Sequence, residues 1–492
     1  METPAKPPSR FLPRLQDILF LSIFAATLML GPRMLNMDGD LPKHLTIGKY
    51  IAQGHLPPIN DIFSYTRFGA PFAPHKWLSG VLFYLSYLLL AERGIVILTS
   101  ACLALTFTLL YADGVSRARL RLPLLLIVLW GAATSSLHWI ARPHIFTMLL
   151  LAVWLILNEK LASGEKIRLW YFPAVMLLWN NIHGEFISGF LVTLACLGGW
   201  MWEFLFHREA INLETGKRIG LALGLSALVT VLNPVSLRAW FTVASWMGND
   251  YLMSRTQETL PPDFQQGALS ILLAMIAFSM VVAAAGRNRL PARMLFLLAG
   301  FTTMVLLSAR NVHLYGVVIP FVLARPLGGS REAPLLKRVE AWFEWIESGA
   351  RGILWPVVTV LAGIILLAAT PLGGSQKFSP RYFPVQAVEW LKSNPQEGNV
   401  FNPFDWGGYI SFELYPGTLV FVDSQGDVYG EAFLREYEQV VTRAPGWRDT
   451  LKKYDVRWAI LPVEWRLFAA LAGDGWMEVY RDDTAVILVR EE

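Results

Sequence analysis

The stretch LQDILFLSIFAATLMLGPRMLNMDGDLPKHLTIGKYI, Leu15 to Ile51, joins an apolar run to a short polar segment carrying two acids and a histidine. The apolar part, Leu15 to Leu30, has the length and composition of a membrane helix. It follows a basic N-terminus and has no convincing small-residue cleavage site, so it reads as a first transmembrane helix rather than a removed signal. Asp38, Asp40 and His44 come directly after it. Asp40 and His44 are four apart on a helix opened by Pro42, so they share a face. Asp40 reads as the cap of that helix and Asp38, one residue outside it, as the freer acid.

The rest of the chain repeats the first half of this pattern. Of 492 residues 54% are hydrophobic and 16% charged, and the mean hydropathy is +0.42. A soluble globular chain carries about 25% charged residues, so this one is expected to be a polytopic membrane protein. Further apolar runs lie at Ile95 to Tyr111, Leu124 to Ile140, His144 to Leu157, Trp170 to Ile182 and Phe186 to Phe206. They continue at Ile219 to Leu232, Ala268 to Ala285, Leu290 to Leu307, Val312 to Leu323 and Ile353 to Ala369. That makes about eleven spans, with a long first outer loop, about 31–94, holding interfacial helices. Trp77 to Leu90 is read as part of that loop. If it does not span, Lys6, Arg10, Arg14, Arg117, Arg119, Arg121, Lys160, Arg208, Arg287, Arg289, Arg331 and Arg351 fall on one side. The positive-inside rule then puts the N-terminus in the cytoplasm and the C-terminus outside the cell membrane. From residue 373 to 492 the composition turns mixed. VQAVEWLKS reads as a helix, and TLVFVD, RWAILPV and AVILVRE as strands, of a small α/β extracytoplasmic domain following a membrane domain over 1–372.

This topology gathers polar residues on the outer side. They are Asp38, Asp40, His44, His75 and Lys76 in the first loop, then Arg142 and His144. Asn180, Asn181, His183 and Glu185 follow, with Arg310, Asn311 and His313. His55 and His138 read as structural, and His207 falls in a cytoplasmic loop. Ionisable groups cost about 2.5–3.5 kcal/mol at mid-membrane, so a one-sided collection points to a shared polar cavity. Two acids and an imidazole suit a general base with its orienting partner, or a divalent metal held by Asp38, Asp40 and His44. Arg142, Arg310 and Lys76 suit a phosphate or pyrophosphate. The net charge of +4 forms no basic aromatic stripe, so nucleic acid is not an expected partner. Cys102 and Cys196 sit in apolar runs, and no P-loop, dinucleotide fingerprint, nucleophile elbow or zinc spacing occurs.

The words DGDLPKHLTIGKYI, PPINDIFSYTRFGAPFAPHKWL, ARPHIFT, LWNNIHGEFISG, SARNVHLY, FNPFDWGGYISFELYPGTLVFVDSQGDVYG and WMEVYRDDTAVILVR run through most of the chain. Their layout resembles the GT-C superfamily of membrane glycosyltransferases, and in particular a bacterial GT-C-like group with a C-terminal extracytoplasmic domain. The resemblance implies an all-α membrane domain and a polyprenyl-phosphate-linked sugar as co-substrate. It also implies Asp38 or Asp40 as the acid that takes a proton from an extracytoplasmic acceptor. Two positions depart from the group. Lys76 stands where an acid often follows the histidine of HKWL, and Ser424 and Gln425 stand where an arginine often follows VFVD. Asp405, Trp406 and Tyr409, with Asp423, are similar to an acceptor-holding element of oligosaccharyltransferases, although as plain sequence the two glycines between them read as a turn before a strand. The expected function is inverting transfer of a sugar to a protein, lipid or glycan. The alternatives are transfer of a preassembled glycan, and a non-catalytic protein that binds, translocates or assembles lipid-linked glycans. A transporter should carry polar, broken helices at the bilayer midplane, and these runs are apolar there.

Overall fold

A computed structural model describes residues 11–206, 212–285, 290–327, 334–350 and 353–491. Lys6, Arg10, His207, Arg208, Arg287, Arg289, Arg331 and Arg351 therefore lie outside the described residues. All eleven apolar runs are helical. The helices are Leu15–Met29, Glu92–Ala118, Leu122–Ser135, His144–Ala162, Tyr171–Ile182 and Ile187–Phe206, then Leu213–Val229, Ser270–Ala285, Ala292–Leu307, Val312–Leu327 and Leu354–Ala369. Among the described residues four helical stretches, Glu92–Ala118, His144–Ala162, Gly184–Phe206 and Gly267–Ala285, are each long and apolar enough to cross a membrane. The remaining apolar helices are shorter, Trp77–Leu90 among them.

Their side chains divide by neighbour. Val312–Leu327 is almost wholly enclosed, with Leu314, Val317, Val318 and Ile319 buried, because it packs on Glu92–Ala118, Leu122–Ser135 and His144–Ala162 at once. The peripheral helices instead turn Leu221, Leu228, Val281, Leu361 and Ile365 outward. An apolar exterior of this extent suits lipid rather than water.

The first loop is built of helices. Gly31–Asn36 and Asp40–Ala52 are followed by an irregular stretch and then Trp77–Leu90. The C-terminal part contains a four-stranded sheet: β1 Asn399–Phe401, β2 Val456–Pro462, β3 Trp476–Arg481 and β4 Ala485–Arg490, in the order β1-β2-β4-β3. β1 and β2 run parallel, and the other pairs are antiparallel. Alternate residues feed two cores. Trp458, Ile460 and Ile487 face the side of Ala387, Val388 and Leu391 in helix Val385–Ser393. Ala459, Leu461 and Leu488 face Phe433, Leu451 and Leu467 on the other helices. RWAILPV and AVILVRE are thus strands as expected, buried on both faces.

Two expectations are corrected here. TLVFVD is not a strand of this sheet. Val420 instead pairs with the first loop, forming an isolated parallel bridge with Ser64. Val420 N–H donates to Phe63 O at 3.1 Å, and Tyr65 N–H donates to Val420 O at 3.1 Å. The DWGGY segment is no turn but the start of helix Phe404–Leu414. This helix packs on Asp40–Ala52, and the two backbones touch where side chains are absent. A Cβ on Gly39 would lie 2.2 Å from Asp405 O, and one on Gly408 would lie 2.9 Å from Gly39 O. Glycine costs helix stability locally, and here it permits a backbone-to-backbone approach. A buried ion pair, Lys43 with Asp423, closes the same contact from the other side.

Candidate functional site

The turn Asp38–Gly39–Asp40 lies between the helical block and helix Phe404–Leu414. Asp40 opens the helix, and its side chain caps nothing; Asp38 Oδ1 accepts the Asp40 N–H at 2.9 Å. The cap position is Gly39, contrary to the reading from sequence, and Asp38 bonds the first helical N–H from just outside it. Both carboxylates meet one guanidinium. Arg142 Nε is 2.9 Å from Asp38 Oδ2, and its Nη2 is 2.8 Å from Asp40 Oδ2. Pro143 begins the helix that follows, so Arg142 sits on the irregular stretch Trp139–Arg142, beside the first loop.

The third edge of Arg142 points to a residue that no sequence pattern singles out. Glu258 Oε2 lies 3.2 Å from Arg142 Nη1, and Glu258 Oε1 lies 3.4 Å from Arg310 Nη1. Glu258 belongs to a short 3-10 turn, Gln257–Thr259. Beyond it, Arg310 Nε is 3.6 Å from Glu185 Oε1, and Glu185 Oε2 accepts from His313 Nε2 at 3.0 Å and lies 3.3 Å from His183 Nδ1. Thr147 Oγ1 joins His183 at 3.0 Å. His138, expected to be structural, belongs here instead. Its ring lies 4.7 Å from that of His144 and 5.3 Å from that of His313, and its Nε2 is 3.6 Å from Glu258.

The two acids of the turn differ in proton affinity. Burial raises Asp38 more than Arg142 lowers it, and with Asp40 alongside its pKa is pushed up to about 6. Burial also works against Asp40, but Arg142, Lys76 and His44 outweigh it, and with a hydrogen bond from Ser424 its pKa is held at about 2. Lys76 thus acts on Asp40, and Ser424 reaches the same acid from the C-terminal domain. Burial, reinforced by Lys76, keeps His44 well below its usual range and His75 at about 3. His44 Nδ1 is buried with no hydrogen-bond partner.

Other expected site residues are engaged elsewhere. Asn180 Nδ2 donates to Thr230 O at 2.9 Å, and Asn181 Nδ2 donates to Leu232 O at 3.1 Å while its Oδ1 accepts from Trp77 Nε1. These two asparagines pin the Thr230–Leu232 backbone and the first-loop helix. Asn311 Nδ2 donates to Met304 O at 2.9 Å, closing the preceding helix. Trp406 donates to Tyr382 O, and Tyr409 packs against Phe378 and Phe383. Asp405 lies close enough to Asp40 to be raised by it, after burial itself. Asp423 is committed to Lys43.

The metal expectation does not fit this geometry. Among the described residues no group of three or more His, Cys, Asp or Glu side chains is arranged to hold an ion. Arg142 fills the space between Asp38 and Asp40 that a cation would need, and His44 offers an unpartnered nitrogen without a second ligand.

No protein-family model matches the chain, and no curated protein matches it in sequence. Solved structures do. An oligosaccharyltransferase of Archaeoglobus fulgidus in the apo form superposes with a TM-score of 0.61 over 90% of this chain and 70% of that one, at 12% identity. Oligosaccharyltransferase AglB from Archaeoglobus fulgidus, in complex with an inhibitory peptide and a dolichol-phosphate, gives 0.58 over 90% and 69%, also at 12% identity. Arabinofuranosyltransferase AftD from Mycobacteria gives 0.52 over 97% of this chain and 40% of that one, at 14% identity. At such identities the likeness is one of fold. The chain has the GT-C fold of membrane glycosyltransferases, with the acid pair after its first helix.

Proposed function

We propose that this protein transfers a sugar from a polyprenyl-phosphate-linked donor to an extracytoplasmic acceptor, with inversion at the anomeric carbon. The observation that carries the reading is the pair of unequal carboxylates, Asp38 and Asp40, bridged by Arg142 within a chain of ionic contacts that reaches Arg310. A base poised near pH 6 suits abstraction of a hydroxyl or amide proton, so Asp38 is the general base. Asp40, held anionic, keeps Arg142 in place and tunes Asp38. The acceptor oxygen or nitrogen loses its proton to Asp38 and bonds to the anomeric carbon. The carbon–oxygen bond to the donor phosphate breaks, and its electron pair leaves on the phosphate. Arg142 and Arg310 stabilise that developing charge, the larger electrostatic task. The positive-inside pattern supports a cytoplasmic N-terminus, with the site and C-terminal domain outside. The dolichol-phosphate and peptide in the related archaeal enzyme support a lipid-phosphate donor and leave transfer of a preassembled glycan as a form of the same chemistry.

The test is transfer of labelled sugar from polyprenyl-phosphate donors by membranes containing the full chain. Asp38→Asn is expected to abolish transfer at unchanged protein level; full activity in that variant overturns the assignment.

A further inference from the structure

Glu258 lies where an anion bridging Arg142 and Arg310 would lie. Oε2 faces Arg142 Nη1 at 3.2 Å, and Oε1 lies 3.4 Å from both Arg142 Nη1 and Arg310 Nη1. That is the charge and the two-sided contact a phosphate group would present to the same guanidinium pair. We propose that Glu258 is a resident stand-in for the donor's phosphate, and that a polyprenyl phosphate enters by displacing its side chain from Arg142 and Arg310. The inference rests on the donor-phosphate reading above.

Charge makes displacement necessary. Among the described side chains, Asp38, Asp40, Glu185 and Glu258 face Arg142, Arg310 and Lys76, so carboxylates there already outnumber the cations with Glu258 in place. A phosphate adding its own charge to that set would be repelled, because like charges a few ångströms apart and partly desolvated oppose each other strongly. One acid has to withdraw, and three are tied. Asp38 accepts the Asp40 N–H at 2.9 Å. Asp40 has Arg142 at 2.8 Å and a hydrogen bond from Ser424. Glu185 has His313 at 3.0 Å and His183 at 3.3 Å. Glu258 makes the looser contacts, none of those to Arg142, Arg310 or His138 shorter than 3.2 Å.

Its backbone, by contrast, is fixed. Glu258 O accepts from Ser308 Oγ at 3.2 Å, and Leu260 O accepts from Ala309 N–H at 2.8 Å. The side chain can therefore swing about its own torsions while the turn stays docked beside Arg310. Glu258 then governs donor affinity without being a donor ligand.

The experiment is titration of the full chain in detergent with a polyprenyl phosphate, followed by native mass spectrometry, with inorganic phosphate as a second arm. Glu258→Gln is expected to bind the lipid about tenfold more tightly than the wild type, the scale of one charge-assisted contact removed from competition. Arg142→Gln and Arg310→Gln are expected to bind it more weakly. Glu258→Asp keeps the charge but retracts it by a methylene and should fall between; it also serves if the amide disturbs folding. Weakened arginine variants with an unchanged or weakened Glu258→Gln overturn the stand-in while the transferase reading survives. Arginine variants that bind as the wild type overturn the phosphate site and the inference with it. Equal tightening towards inorganic phosphate upholds displacement and overturns the lipid as the required ligand.

Discussion

Helices His144–Ala162 and Val312–Leu327 carry an ionic cluster at each end, and the two clusters are built differently. At one end Glu159 takes Arg293 through two contacts of 2.9 Å and Arg325 through a third of 2.9 Å. Its side chain is 6% exposed and that of Arg293 9%. At the other end Glu258 also takes two arginines, but at longer range: Arg142 Nη1 reaches its two oxygens at 3.2 and 3.4 Å, Arg310 Nη1 lies at 3.4 Å, and its side chain is 22% exposed. Some fifteen residues of helix, about 22 Å at 1.5 Å per residue, separate residue 144 from Glu159. The same residue types thus make a clamp where Glu159 and Arg293 are buried and bidentate, and a looser bridge where Glu258 is partly exposed and its contacts are longer. Burial with full pairing fixes geometry, whereas partial exposure lets partners exchange.

The largest expected effect divides the two ends by what each variant loses. Asp38→Asn should lower the transfer rate by about 10²–10⁴-fold with no change in the melting temperature of the detergent-purified protein. Glu159→Gln should do the reverse. It strips Arg293 of its counter-ion at a cost on the order of 3–5 kcal/mol, read as a lower melting temperature, while turnover per folded molecule stays at the wild-type value. If both variants lost only activity, the contrast would disappear. Arg142→Gln comes next, with an expected loss of about 10²–10³-fold in rate. Arg325→Gln, at 45% exposure, should change stability by less than about 1 kcal/mol.

The pH response is smaller. The proposed base, Asp38, can take a proton only when ionised, and burial pushes its pKa up to about 6. The rate should therefore hold above that value and fall about tenfold per unit below it. Asp40 contributes to raising Asp38, so Asp40→Asn should move the inflection to lower pH; an unmoved inflection would remove Asp38 from the role. The smallest expected effect is that of chelation. With Arg142 between the two acids, treatment with EDTA should leave the rate unchanged, and a loss restored by a divalent ion would show that the guanidinium yields its place.

Much of this was legible in the sequence, for reasons that also explain the misses. Apolar runs announce helices locally, so all eleven stretches appear, as does VQAVEWLKS at Val385–Ser393. Ionisable residues bordering those runs mark one end of the block, and Asp38, Asp40, Arg142, Glu185, Arg310 and His313 do converge there. TLVFVD carries strand chemistry, but its partner, Ser64, is hundreds of residues away, beyond any local pattern. DWGGY reads as a turn because glycine disfavours helix; the compensating term is its contact with the Gly39 backbone. Glu258 sits in TQETLPP, a plain polar loop, and only the fold sets it between two arginines. Asn180 and Asn181 looked like ligands because polar groups in an apolar run need partners, and they find them in the carbonyls of Thr230 and Leu232.

The contact between Asp40–Ala52 and Phe404–Leu414 also sets a schedule. Ribosomes make the Asp38–Asp40 turn early and its covering helix late; Lys43 and Asp423 are 380 positions apart. At about 5–20 residues per second, the first loop waits roughly twenty seconds to more than a minute for the segments that pair with Ser64 and seal Gly39. Until Phe404–Leu414 has emerged, the acids have no roof. A nascent chain therefore spends that whole interval with the Asp38–Asp40 turn made and its cover missing, and any role of the two acids has to wait for a segment synthesised hundreds of residues later.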